Sequence, residues 1–159
     1  MHIEIYEGDR DALLPLFRLA DEFESQIESY YGLGTVLVAY DGALIAGLAL
    51  VFDDDGVVEL VSLAVLAERQ RQGFGSRLIE AAVGHCRAIK IDRLIVGTGA
   101  WEADNIIFYL NRGFRIFNVN QDFFSPEKGY AEGRRDQVQL EITGIGSRPH
   151  ELQLEIAGD

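Results

Sequence analysis

Polar and apolar positions change period several times along the chain, and each change marks an element. Ile3 and Ile5 alternate with Glu4 and Tyr6, the two-residue period of a short strand. Two acidic amphipathic stretches follow, Asp11 to Ala20 and Glu22 to Tyr30. In them Leu13, Leu14 and Phe17, then Phe23 and Ile27, recur at helical spacing. Thr35 to Tyr40 is β-branched and apolar, Asp41-Gly42 is a hairpin turn, and Ala43 to Phe52 returns as a longer strand. Asp53 to Gly56 turns the chain into a third strand, Val57 to Leu66. The spacing therefore predicts an antiparallel meander of three consecutive strands.

The period then lengthens. From Gly75 the apolar residues Leu78, Ile79, Ala82, Val83, Cys86 and Ile89 fall three and four apart, predicting a helix of about four turns that ends near Lys90. Arg93 to Val96 reads as a short strand, and Asp104 to Asn111 as a short helix closed by Gly113. Phe114 to Val119 and Gln137 to Ile142 read as a final strand pair. The stretch from Gly144 to Asp159, with its glycines, Pro149 and acids, is expected to be a peripheral tail, with Glu151 to Ile156 as an edge strand. The order β-α-α-β-β-β-α-β-α-β-β predicts an α+β (mixed α/β) chain: a meander first, a β-α-β-α-β section afterwards.

A length of 159 residues suits a single domain, with its core over about 1–143. Hydrophobic residues make up 48% and charged residues 25%, which excludes a disordered or fibrous chain. Fourteen Lys and Arg against 26 Asp and Glu leave a net charge of -12, so the field repels nucleic acid and anionic membranes and favours cationic partners. The longest apolar run, Ala43 to Phe52, is far shorter than the ~20 residues of a membrane-spanning helix. The opening residues carry early acids and no apolar stretch, so no secretory signal is expected. Cys86 is the single cysteine, which forbids an internal disulfide and points to a reducing, cytoplasmic setting. His2, His85 and His150 are dispersed, and no metal site is expected.

The chemistry concentrates in Leu63 to Arg77. This segment lies between a predicted strand and a predicted helix, where free N–H groups at a helix N-terminus converge on an anion and glycine lets it approach. Arg69, Arg71 and Arg77 crowd there in a chain that is otherwise strongly negative. A pyrophosphate accounts for that local reversal. Two familiar phosphate loops do not fit. There is no Gly-Lys-Ser/Thr ending, and Leu78 stands where the dinucleotide fingerprint needs a third small residue.

Gln70-x-x-Gly73-x-Gly75 after an apolar strand, followed by Tyr109-x-x-x-Gly113-Phe114, resembles the GNAT superfamily of acyl-CoA-dependent N-acyltransferases. The resemblance covers roughly Thr35 to Phe117 and agrees with the order of elements. It implies a central mixed, mostly antiparallel twisted sheet with flanking helices and a splayed strand pair. It also implies acetyl-CoA as cosubstrate, and an amine acceptor attacked directly through a tetrahedral intermediate. Val65 corresponds to the position where the backbone pairs with the pantetheine arm, with Leu63 and Ala64 beside it. Gln70 to Arg77 correspond to the pyrophosphate loop, with backbone donors from Arg71, Gln72, Gly73, Gly75 and Ser76.

Tyr109 corresponds to the general acid that protonates the departing thiolate. Asn105, one helical turn earlier, could touch the cofactor arm, although the family's common Asn would fall at Glu102. Glu59 corresponds to a carboxylate that acts as base through water in histone-type members, and a strand-surface Glu remains the other reading. Only a free amine attacks, and an alkylammonium of pKa near 10.4 is roughly 99.9% protonated at pH 7.4. Cys86 reads as a core residue and poorly placed as a nucleophile. Trp101 either lines an acceptor pocket or covers the sheet. Asp21, Glu22, Glu24 and Glu28 are read as solvated helix faces or as attractors of a small cationic acceptor. Asp122 to Pro126 with Arg135-Asp136 is similar to a subgroup of bacterial acetyltransferases and specifies no acceptor. A homodimer through the C-terminal strands is open. So is a non-catalytic acyl-CoA-binding module of the same fold.

Overall fold

The computed structural model describes residues 1–146. Its strands are β1 (His2–Ile5), β2 (Thr35–Asp41), β3 (Leu44–Asp54), β4 (Val57–Val65), β5 (Leu94–Gly99), β6 (Arg115–Asn120) and β7 (Gln137–Ile142). Its α-helices are α1 (Leu14–Ala20), α2 (Glu24–Tyr30), α3 (Phe74–Ala88) and α4 (Ala103–Asn111). The strands form one mixed sheet in the order β1-β2-β3-β4-β5-β7-β6, antiparallel except for the pair β4–β5. The predicted fold class and element order stand. The first helix is shorter than its pattern because Arg10–Leu13 forms a 3-10 turn before Pro15 opens α1.

Each sheet face buries its own cluster. Helix α3 lays Leu78, Ile79, Ala82 and Cys86 on Leu37, Ala49, Val51 and Leu60. On the opposite face Leu13, Leu16 and Phe17 pack with Ile27 of α2 against Val36, Val38, Leu48 and Leu50. Cys86 is fully buried, and loss of solvent, with the charge of Asp53 behind it, pushes its thiol up to about 12. A thiol so protonated is no nucleophile at neutral pH.

Two departures from the sequence pattern matter for the site. Strand β4 carries a bulge, since Leu60 faces Val51 while Ser62 faces the next residue, Leu50, leaving Val61 as the extra residue. The bulge inverts the strand: Val58 and Leu60 belong to the α3 face, whereas Ala64 belongs to the α1–α2 face. The chain after β7 is also tied down at its start. Asp92 accepts hydrogen bonds from the Gly144 and Gly146 N–H groups, and Ile145 is fully buried between them. The expected loose tail is thus corrected over 144–146, while the proposed strand Glu151 to Ile156 lies outside the described residues.

Glu141 on β7 is 6% exposed and accepts from Arg93 Nε at 2.9 Å and Arg115 Nε at 3.0 Å. Burial alone would raise its carboxyl, but the bonds and charges of the two arginines outweigh it and hold the group low. A depressed folded-state pKa contributes stability that is fully present above the ordinary carboxylate range and lost as pH falls through the folded value. We expect urea midpoints to fall between pH 7 and pH 3. In Glu141→Gln the midpoint is lower at pH 7 and its acid-side fall is smaller; an unchanged pH profile would refute the assignment.

Candidate active site

Parallel pairing of β4 with β5 covers only Val58 to Leu60 against Leu94 to Val96, so the two strands part beyond the bulge. Strand β5 continues to Gly99 against β7, and β4 continues to Val65 against β3. Main-chain directions in the gap follow from three contacts. Leu66 N–H donates to Ala46 O on β3 at 2.8 Å. A Cβ on Gly47 of β3 would lie 2.8 Å from Ala64 O. Val65 O, by contrast, accepts from Gln70 Nε2 at 3.2 Å. Because N–H direction alternates along a strand, Ala64 and Ser62 face β3 while Leu63 and Val65 face the gap. At the other end Val58 N–H donates to Arg93 O at 2.9 Å, on the β5 side. Even-numbered residues face β5 before the bulge and odd-numbered ones after it, so Val61 switches which amides are left without a strand partner.

The gap leads into the turn before α3. Arg71 and Gly73 both have positive φ, 63° and 90°. Nothing lies within 4 Å of a Cβ on Gly73, so its glycine is explained by backbone conformation rather than space. The first helical bond is Arg77 N–H to Gly73 O at 3.1 Å, and among the described residues the amides of Arg71 to Ser76 have no acceptor. Six consecutive free donors at the head of a 15-residue helix suit a diphosphate.

Side chains around this turn are largely committed. Arg69 pairs with Asp41 at 2.7 Å, Gln70 holds Val65 O, and Gln72 donates to Glu68 O. Arg77 lies 3.8 Å from Glu80. Of the three crowded arginines, then, Arg69 is turned to the β2–β3 hairpin, and main-chain amides form most of the anion seat. Helix α4 is bolted to the same turn: Arg112 donates to Ser76 Oγ at 2.8 Å, and Phe108 lies 3.3 Å from a Cβ position on Gly75. Neither Arg112 nor Phe74, whose amide joins the donor set, was singled out in the sequence.

On the α1–α2 side, the gap opens into a cavity of about 480 Å³, within the range of small-molecule sites. Its wall includes Leu60 to Leu63, Val96 to Gly99, Glu102, Asn105 and Tyr109, so Tyr109 and Asn105 share one chamber with the splayed strands. Tyr109 is 8% exposed and sits edge-to-face against Phe114. Burial, then the nearby charge of Glu102, raises its phenol, which stays protonated at neutral pH. Glu102 accepts from Thr98 Oγ1 at 3.1 Å and from Asn105 Nδ2.

Two sequence candidates are not brought to the chamber as expected. Ala64 turns its amide and carbonyl to β3 and buries its methyl, so its main chain is not offered to the gap. Glu59, two residues before the bulge, is exposed on the sheet face and is not part of the cavity wall. Partial desolvation and the charge of Asp54 raise its carboxyl.

The outer wall comes from a segment whose role the sequence left unassigned. Phe23, Tyr130, Phe124 and Trp101 form a continuous edge-to-face series with centroids 4.8 to 5.0 Å apart, closing the 121–136 segment over the cavity. Trp101 therefore lines a pocket. Tyr130 is raised by burial and then by Asp21, Glu22 and Glu102, which places one negative potential over this part of the wall. Such a convergence is invisible in sequence because its members come from α1–α2, the head of α4 and the loop before β7.

Residues 3–114 match the model of the GNAT acetyltransferase family. The N-acetyltransferase YvbK of Bacillus subtilis (strain 168) is 31% identical over 125 residues, which span 78% of this chain and 81% of the relative. A Bacillus subtilis acetyltransferase solved in complex with CoA superposes with a TM-score of 0.80 at 29% identity, over 89% of this chain and 97% of that one. A GNAT acetyltransferase from Elizabethkingia anophelis with acetyl-CoA bound shares the fold at a TM-score of 0.81 and 23% identity, over 89% and 97% of the two chains. The free amides of the glycine turn and the parted strands thus stand where sequence and fold agree, and the chain belongs to the GNAT family of acetyltransferases.

Proposed function

We propose that the protein transfers an acetyl group from acetyl-CoA to the primary amine of a small acceptor by direct attack, using Tyr109 as hydrogen-bond donor to the departing sulfur. The observation that carries this reading is the presence of three features along the parted strand β4 and the turn that follows it, with Leu63 and Tyr109 on one cavity wall. These are the free amides of Arg71 to Ser76, the gap-facing amides of Leu63 and Val65, and the Tyr109 hydroxyl. The glycine turn receives the diphosphate, and the gap receives the pantetheine arm, which supplies an activated thioester carbonyl. The Leu63 amide is aimed to stabilise charge growing on that carbonyl, a term that commonly dominates acyl transfer.

A phenol at its ordinary pKa near 10 is a weaker acid than a thiol near 8.5, so complete transfer to the thiolate is uphill by roughly 2 kcal/mol. Burial and Glu102 steepen that. Tyr109 acts by donating a hydrogen bond to the sulfur; the ammonium gives up two protons, one passed to solvent before attack and one passed to the departing sulfur as the tetrahedral intermediate collapses. Glu102, on the cavity wall, is the carboxylate we place beside that ammonium, whereas Glu59 takes protons only by way of solvent. An ammonium at Glu102 also cancels the charge that opposes the acidity of Tyr109. Acceptor binding thereby primes the donor.

A free-thiol assay with acetyl-CoA and a panel of primary amines, run beside calorimetric titration with acetyl-CoA, tests this directly. Amine-dependent thiol release is the expected result. Tight binding without release would make the protein an acyl-CoA-binding module, and absence of both would overturn the reading.

A further inference from the structure

Arginines on the cavity wall are not equally employed. Arg18 is bonded to Glu24 at 2.6 Å, and Arg135, just outside the wall, pairs with Asp122 at 3.3 Å. Arg134 lies on the wall with its guanidinium 5.6 Å from the Trp101 ring centre, and among the described residues it has no carboxylate partner. In a chain of 26 acids against 14 bases, this exposed wall arginine keeps its guanidinium donors available to an anion from outside. The neighbouring acid, Glu102, follows Trp101 directly, so a seat for a cation and a seat for an anion adjoin on the same stretch of wall. The same cavity is lined by the rings of Trp101, Phe124 and Tyr130 and by Leu63 and Val96, with Ser62, Thr98 and Asn105 as polar neighbours.

We infer that the acceptor is a zwitterionic amino acid, its amine seated toward Glu102 and the splayed strands and its carboxylate on Arg134. Its apolar or aromatic body lies along Trp101 and Phe124. A diamine or polyamine would leave Arg134 facing a second cation. A protein N-terminus carries no carboxylate beside its amine, and neither uses both seats. The guanidinium lies over the indole, 5.6 Å from its ring centre, and has a fork of donors to offer a planar carboxylate.

This inference rests on the acetyltransferase reading, and its test separates the two. The wild-type protein is assayed with matched acceptors that differ only in the carboxylate: phenylalanine against phenethylamine and phenylalaninamide, lysine against cadaverine. Arg134→Gln and Arg134→Lys follow, each checked for an unchanged melting temperature. The carboxylate-bearing member of each pair is expected to be favoured by at least tenfold in kcat/KM. Arg134→Gln should raise the acceptor KM by about ten- to a hundredfold, with partial recovery in Arg134→Lys and little change in the KM for acetyl-CoA. Equal or better use of the carboxylate-free amines would overturn it, as would acetylation of none of the amino acids. In that last case calorimetric binding of acetyl-CoA shows whether the donor half of the reading stands.

Discussion

Replacing Tyr109 by phenylalanine lowers kcat by about 10²- to 10³-fold while the KM for acetyl-CoA stays within about threefold, because the hydroxyl is used at the departing sulfur and not in holding the cosubstrate. The ring accounts for the packing: it is buried edge-to-face against Phe114 and Phe108, contacts that phenylalanine preserves. Among the described residues no side chain hydrogen-bonds the Tyr109 hydroxyl, so its removal leaves no orphaned partner and the melting temperature holds. The charge of Glu102 contributes to the raised pKa of this phenol. Glu102→Gln therefore moves the Tyr109 phenol of the acceptor-free protein to lower pH, a change in ultraviolet titration that is absent when the same substitution is made in Tyr109→Phe. A Tyr109→Phe enzyme that retains more than a third of its turnover would remove this residue from the chemistry.

A proline scan across β4 distinguishes amides that serve the sheet from those that serve the gap. Proline has no N–H and is tolerated in a strand only where that group does not join the ladder. Leu63 faces the gap, so Leu63→Pro is expected to fold, with a moderate loss of stability from its smaller side chain, and to lose about 10²- to 10³-fold in kcat. That is the usual cost of deleting one donor to a developing oxyanion. Ala64 faces β3, so Ala64→Pro breaks a ladder bond in the middle of the sheet and is expected not to accumulate as folded protein. Circular dichroism and thiol release on the two variants settle the matter. A Leu63→Pro protein with near-normal turnover would show that the Leu63 amide is not a donor to the reacting carbonyl.

Much of the frame was legible because its elements are written in local periodicity. The alternation of β2 to β4 and the three- and four-residue spacing from Leu78 to Cys86 each bury one face. That burial selects strand or helix with little help from distant residues. Gly73 could be located because a turn that frees amides at a helix head requires glycine-compatible backbone there, a demand made within the turn itself, whereas Gln70 and Gly75 came with the family resemblance. Arg69 shows where such local reading stops. Its partner, Asp41, is 28 positions away, and the crowding of arginines does not record that pairing.

Sequence by itself determined the mixed fold, the order of its elements and the glycine turn, since each depends on side-chain period or backbone freedom over a few neighbouring residues, while the candidacy of Tyr109 came with the family resemblance. Only the tertiary structure decided which amides of β4 are free, because one extra residue at Val61 reverses the direction of every amide after it and no hydrophobic pattern records that reversal. It likewise decided the acceptor wall, where Asp21, Glu102, Tyr130 and Arg134 meet across more than a hundred residues of chain. Charges so far apart in sequence acquire a common meaning only when folding brings them to one cavity.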